Sequence, residues 1–154
     1  MDESDRADVV AFAGRPESER RERYAPYPAF DALGYGCRGK PATGRDGFPL
    51  CETVFYLDSR SRKLELFFTE DGRYADVHGV HVGMATKTAE RLLHLRIFVG
   101  CDAYLFFRTR AAYLVMWFRG RTRPTSSHLV GGHVGFLVVH SRHRNPGVLD
   151  CIDS

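Results

Sequence analysis

A chain of 154 residues with 44% hydrophobic content, 22 Lys and Arg against 19 Asp and Glu, and a formal net charge of +3 carries enough apolar surface for one domain of ordinary size. That charge is too small to imply nucleic acid by itself. No apolar run approaches the ~20 residues needed to cross a bilayer as a helix, and the acidic start Met1-Asp2-Glu3-Ser4-Asp5-Arg6 is unlike a signal peptide, so the sequence reads as a soluble chain with no transmembrane segment.

In chain order, Asp5 to Ala13 carries Ala7, Val9, Val10 and Phe12 in a pattern that predicts a short helix, stopped by Gly14 and Pro16. Glu17 to Arg23 reads as charged and solvated. Tyr24 to Leu50 contains Pro26, Pro28, Pro41 and Pro49 with five glycines, which predicts a long loop held down by Phe30, Leu33 and Tyr35. Cys51 to Asp58 and Lys63 to Thr69 predict a hairpin around Ser59-Arg60-Ser61-Arg62. Pairing Asp58 with Lys63 sets Thr53, Phe55 and Leu57 beside Leu64, Leu66 and Phe68 as a core face, with Val54, Tyr56, Glu65 and Phe67 opposite.

The middle of the chain, Gly79 to Leu93, reads as a short strand at Val80 and Val82, a turn at Gly83 and an amphipathic helix. Thr86 is the expected N-cap, Ala85, Ala89, Leu92 and Leu93 the apolar side, and Lys87, Glu90 and Arg91 the polar one. After the helix, Asp102 to Arg108 and Ala112 to Phe118 predict a second hairpin, and Gly132 to His140 a further strand. In that hairpin Ala103, Leu105 and Phe107 meet Leu114, Met116 and Phe118 as the core face. The order helix, hairpin, helix, three strands predicts one α+β domain over residues 1–154, an antiparallel sheet with both short helices on one face. Its related halves span about 1–77 and 78–154.

The phrase Gly79-Val80-His81-Val82-Gly83-Met84-Ala85-Thr86, followed by strands of seven or eight residues, resembles the opening of the repeat in the β-lactamase inhibitory protein family. It is similar also to the small envelope lipoproteins with the same helix-plus-antiparallel-strand repeat. In the first half the likeness lies in the order of elements and in Gly14-Arg15-Pro16, similar to the Gly-x-Pro that often ends the family's helix. The resemblance implies an extracytoplasmic, non-catalytic module that binds another protein through an open sheet face. The family's contact positions vary, so no functional residue is carried over.

Cysteine usage points the same way. Cys37 and Cys51 bracket a loop rich in Gly and Pro, and Cys101 and Cys151 would tie the start of the second half to the C-terminal tail. Two disulfides and an oxidising compartment follow as expectations, although four cysteines allow three pairings, and a cytoplasmic chain with free thiols is the alternative.

The candidate binding surface is the outer face of the second hairpin, with Tyr104, Phe106, Arg108, Tyr113 and Trp117. Rigid aromatics beside an arginine are the mixture enriched where interfaces concentrate their binding energy. The plainer reading is that a loop covers this face as a second small core. The same aromatics with Arg119, Arg121, Arg123, Arg142 and Arg144 would suit single-stranded nucleic acid, but the charge is modest and no sheet-type RNA signature is present. Among the seven histidines, His78 with His81 and His140 with His143 lie three apart, a spacing that sends the rings to opposite faces of a strand, so no metal site is assigned. No Gly-x-Ser-x-Gly elbow or phosphate loop occurs, so no catalytic residue or cofactor is assigned and the reading leans away from an enzyme. A small enzyme or metal-binding protein with a site invisible in sequence is the last alternative.

Overall fold

The computed structural model describes residues 4–23, 29–38, 50–94, 104–108, 112–119 and 132–141, with residues 23, 104–108, 112–119 and 140–141 described by their backbone alone. The elements are α1 (Arg6–Ala13), β1 (Ser18–Arg23), β2 (Ala29–Cys37), β3 (Cys51–Asp58), β4 (Leu64–Thr69), α2 (Thr86–Leu93), β5 (Tyr104–Arg108), β6 (Ala112–Arg119) and β7 (His133–Ser141). Among the described residues, seven strands form one antiparallel sheet in the order β1-β2-β3-β4-β7-β6-β5. The chain is therefore an α+β fold with an antiparallel sheet, as the element order predicts.

The helix α1 begins where Asp5 accepts hydrogen bonds from the N–H groups of Ala7 and Asp8, at 2.8 and 3.2 Å, while Asp8 accepts from the Asp5 N–H at 2.9 Å. This reciprocal cap satisfies donors that a short helix otherwise leaves open. Gly14, at φ 87°, ends the helix. Its buried Val9, with Ala13, packs on the sheet face made by Leu33, Tyr35, Phe55, Leu57 and Leu64. The other face carries a second apolar cluster of Phe30, Ala32, Val54, Tyr56 and Phe68, so β3 is covered on both sides.

Several expectations are corrected. Glu17 to Arg23 is not merely solvated, because Ser18–Arg23 pairs with β2 as an edge strand. Backbone hydrogen bonds make it a strand without any apolar stripe, and its charges blunt an exposed edge. The segment read as loop from Tyr24 to Leu50 contains β2, where Ala32 and Gly34 are buried between two neighbouring strands. Small residues buried on both faces erase the alternation that identifies a strand. Phe30, Leu33 and Tyr35 are buried, as anchors should be.

The first hairpin keeps its expected register only near the turn, where Leu57 opposes Leu64. A shift between Tyr56 and Leu57 then sets Phe55 opposite Phe67, Tyr56 opposite Leu66 and Val54 opposite Phe68. One extra residue on β4 exchanges the faces assigned to its far half. At the centre of the chain, Val80 and Val82 form no strand; an isolated bridge joins Ala75 to His81, and Asp76 organises a turn by accepting from the N–H groups of His78 and Val80. Thr86 is not the N-cap. Ala85 holds that position without a side-chain cap, and Thr86 is buried beside β7, its N–H donating to Gly132.

Candidate functional site

β5 and β6 pair in the expected register, with Tyr104 opposite Trp117, Leu105 opposite Met116, Phe106 opposite Val115, Phe107 opposite Leu114 and Arg108 opposite Tyr113. Tyr104, Phe106, Arg108, Tyr113 and Trp117 therefore share one face of the ladder by register. That face continues across the sheet, because Trp117 opposes Phe136, Val115 opposes Val138, and Val138 opposes Phe68. It is the face of the second apolar cluster.

Burial on this face falls off along the strand order. On β3, Val54 is 0% and Tyr56 3% exposed; on β4, Phe68 is 9% exposed and Leu66 is only partly buried; on β7, Phe136 and Val138 are partly buried. Among the described side chains, cover on this face is tightest on β3 and thins through β4 to β7. The Phe68 and Phe136 rings lie 5.4 Å apart, forming an aromatic bridge between the two halves.

The predicted Cys37–Cys51 disulfide is present, joining directly opposed residues of β2 and β3. Beside it, Glu17 accepts from the N–H groups of Cys37 and Gly36, at 2.9 and 3.0 Å, which holds its carboxyl below the ordinary glutamate range. Cys101 and Cys151 lie outside the described residues, as do Arg121, Arg123, Arg142 and Arg144 of the expected basic rim.

Among the described residues no three His, Cys, Asp or Glu side chains gather closely enough to share a metal ion. The His78 Nδ1 is 2.7 Å from Asp76 Oδ2, and the His81 Nδ1 is 2.9 Å from the Val82 carbonyl, so a local partner orients each ring. No described helix is long and apolar enough to cross a membrane.

A feature that the sequence reading missed lies at the opposite end of the sheet from β5. An open cleft of about 280 Å³ is lined by Arg6 at the start of α1, Glu19, Arg20 and Arg21 on β1, Asp31 on β2, and Arg62 in the β3–β4 turn, over Leu33 and Leu57. Arg6 donates to Glu19 at 2.5 Å, Arg62 pairs with Asp31, and Arg21 donates to the Ser59 hydroxyl at 3.3 Å. The signal in the sequence was the run Glu19-Arg20-Arg21-Glu22-Arg23, but only strand alternation turns Glu19 and Arg21 to the cleft, while Arg20 pairs with Glu22 on the other face.

No protein-family model matches this sequence. Nor does any curated protein. Among solved structures, the fold is similar to the crystal structure of an extracellular protein containing an SCP domain from Bacillus anthracis str. Ames, with a TM-score of 0.54 and 9% sequence identity. The likeness covers 95% of this chain and 45% of that one, so this chain spans less than half the length of its neighbour. At such identity the likeness is one of fold alone.

Proposed function

We propose that this protein is a non-enzymatic, inhibitor-like binding module that docks a protein partner on the sheet face containing Tyr104, Phe106, Arg108, Tyr113 and Trp117. The observation that carries the reading is the decline in burial along that face, from Val54 through Phe68 to Phe136 and Val138. Aromatics that the register places beyond the strands where burial declines are of the kind an interface uses as anchors. The sheet order supports the reading of two related halves: each is a helix followed by antiparallel strands, and the halves join through the last strand of each, β4 against β7. The resemblance to the β-lactamase inhibitory protein family belongs to this proposal too. An extracytoplasmic location is supported by the Cys37–Cys51 disulfide and by the extracellular structural neighbour.

Trp117 is the only tryptophan, so its fluorescence reports the site directly. Iodide should quench it in the free protein, and a Trp117→Ala variant of unchanged thermal stability should lose partners that the wild type captures from an envelope extract. An indole shielded from iodide, or a variant that captures the same partners, would overturn the reading.

A further inference from the structure

Three arginines from separate elements converge on the cleft at the β1 end of the sheet, and the fold spends conformational energy to keep one of them there. Arg62 sits at φ 61°, in the left-handed region that side chains other than those of Gly and Asn rarely occupy. The turn that holds it is fixed on both sides. Asp58 accepts from the N–H groups of Arg60 and Ser61 at 2.8 and 2.9 Å, and the Arg62 N–H donates to the Asp58 carbonyl at 2.8 Å. The start of α1 is tied to the same corner by the Leu64 N–H donating to the Ser4 carbonyl at 2.8 Å, which positions Arg6.

We propose that this cleft binds the oxyanion head of a small organic acid, a carboxylate or a phosphate, with Arg21 and Arg62 as the recognising guanidiniums. A guanidinium offers five donors in a planar fork that matches such oxygens two at a time. Among the described residues Arg62 contacts Asp31 and Arg21 contacts Ser59, which leaves most of each fork for a ligand. Arg20 alternates to the opposite face of β1, where it pairs with Glu22 at 3.7 Å, so Arg6, Arg21 and Arg62 stand against Glu19 and Asp31 in the cleft, and an anion entering it offsets the one positive charge left beyond those two ion pairs. The volume sits near the lower end of the range for small-molecule sites, roughly 300 Å³ upward, which limits the ligand to a small one. Strain held at a charged, exposed turn residue is the kind that persists at binding sites.

Calorimetric titration of the full chain with citrate and with inorganic phosphate, at matched ionic strength in chloride, tests this. The expected result is saturable binding of at least one probe, and the tighter probe identifies the head group. Affinity should fall about tenfold or more in Arg21→Gln and in Arg62→Gly, the loss expected when a charged hydrogen-bond donor is removed. Glycine suits φ 61°, so Arg62→Gly removes the guanidinium while keeping the turn, and its thermal transition verifies folding. Absence of saturable binding by both probes, or undiminished affinity in either variant, would overturn the proposal. This outcome is independent of the Trp117 measurements, which concern the opposite end of the sheet.

Discussion

Replacing both Cys37 and Cys51 by alanine removes the crosslink between β2 and β3. The two residues are 14 apart in sequence, and a closed loop of about 15 residues restricts the unfolded chain by roughly 3 kcal/mol in the chain-entropy account. Little of the native structure depends on the bond itself. The strands remain paired through their ladder, Arg38 donates to the Leu50 carbonyl at 2.9 Å, and Glu17 holds the N–H groups of Gly36 and Cys37. The loss should therefore come mainly from the freed denatured state. Against a total stability of roughly 5–15 kcal/mol this is a large fraction. For a domain of this size it corresponds to a thermal midpoint lower by about 6–12 °C, at about 2–4 °C per kcal/mol. Calorimetry of the oxidised wild type and the double variant measures the shift, and mass spectrometry of non-reduced peptides verifies the pairing. A shift below about 2 °C, with the disulfide verified in the wild type, would refute the argument that the crosslink acts by restricting the unfolded chain.

Other consequences follow from the packing and the charges. Leu33, 2% exposed between β2 and α1, should lose about 3 kcal/mol on replacement by alanine, through lost burial and the cavity left behind; denaturant unfolding with an unchanged slope verifies it. Glu17 has a depressed folded-state pKa because the N–H groups of Cys37 and Gly36 stabilise its charge. Its contribution is present above its ordinary value of 4.5 and is lost as pH falls through the lower folded value. Between pH 7 and pH 3 the wild type should therefore lose more stability than Glu17→Gln, and parallel loss in the two proteins would count against the role assigned to those two hydrogen bonds.

The sequence by itself determined the elements whose side chains alternate or recur against a solvated background. The helix of Arg6 to Ala13 was legible from its apolar spacing and Gly14, and α2 from Ala89 and Leu93 opposite Lys87 and Arg91. The β5–β6 hairpin was legible from a period-two pattern with matching faces, which also fixed the register relating Tyr104 to Trp117. The loop that Cys37 and Cys51 bracket made a crosslink there an expectation, but three pairings stayed open until the β2–β3 ladder set the two residues opposite one another. Where burial did not follow a period, the sequence was silent. Ser18–Arg23 became a strand because β2 offered its backbone partners, and Ala29–Cys37 because strands on both sides buried its small residues. Only the tertiary structure slipped β4 by one residue past Tyr56, sending Phe67 opposite Phe55. It alone brought Arg6, Arg21 and Arg62 together, since their approach depends on a strand pairing, a helix start and a left-handed turn that local composition does not encode. Short-range periodicity records which side of an element faces the core; long-range pairing decides which elements meet.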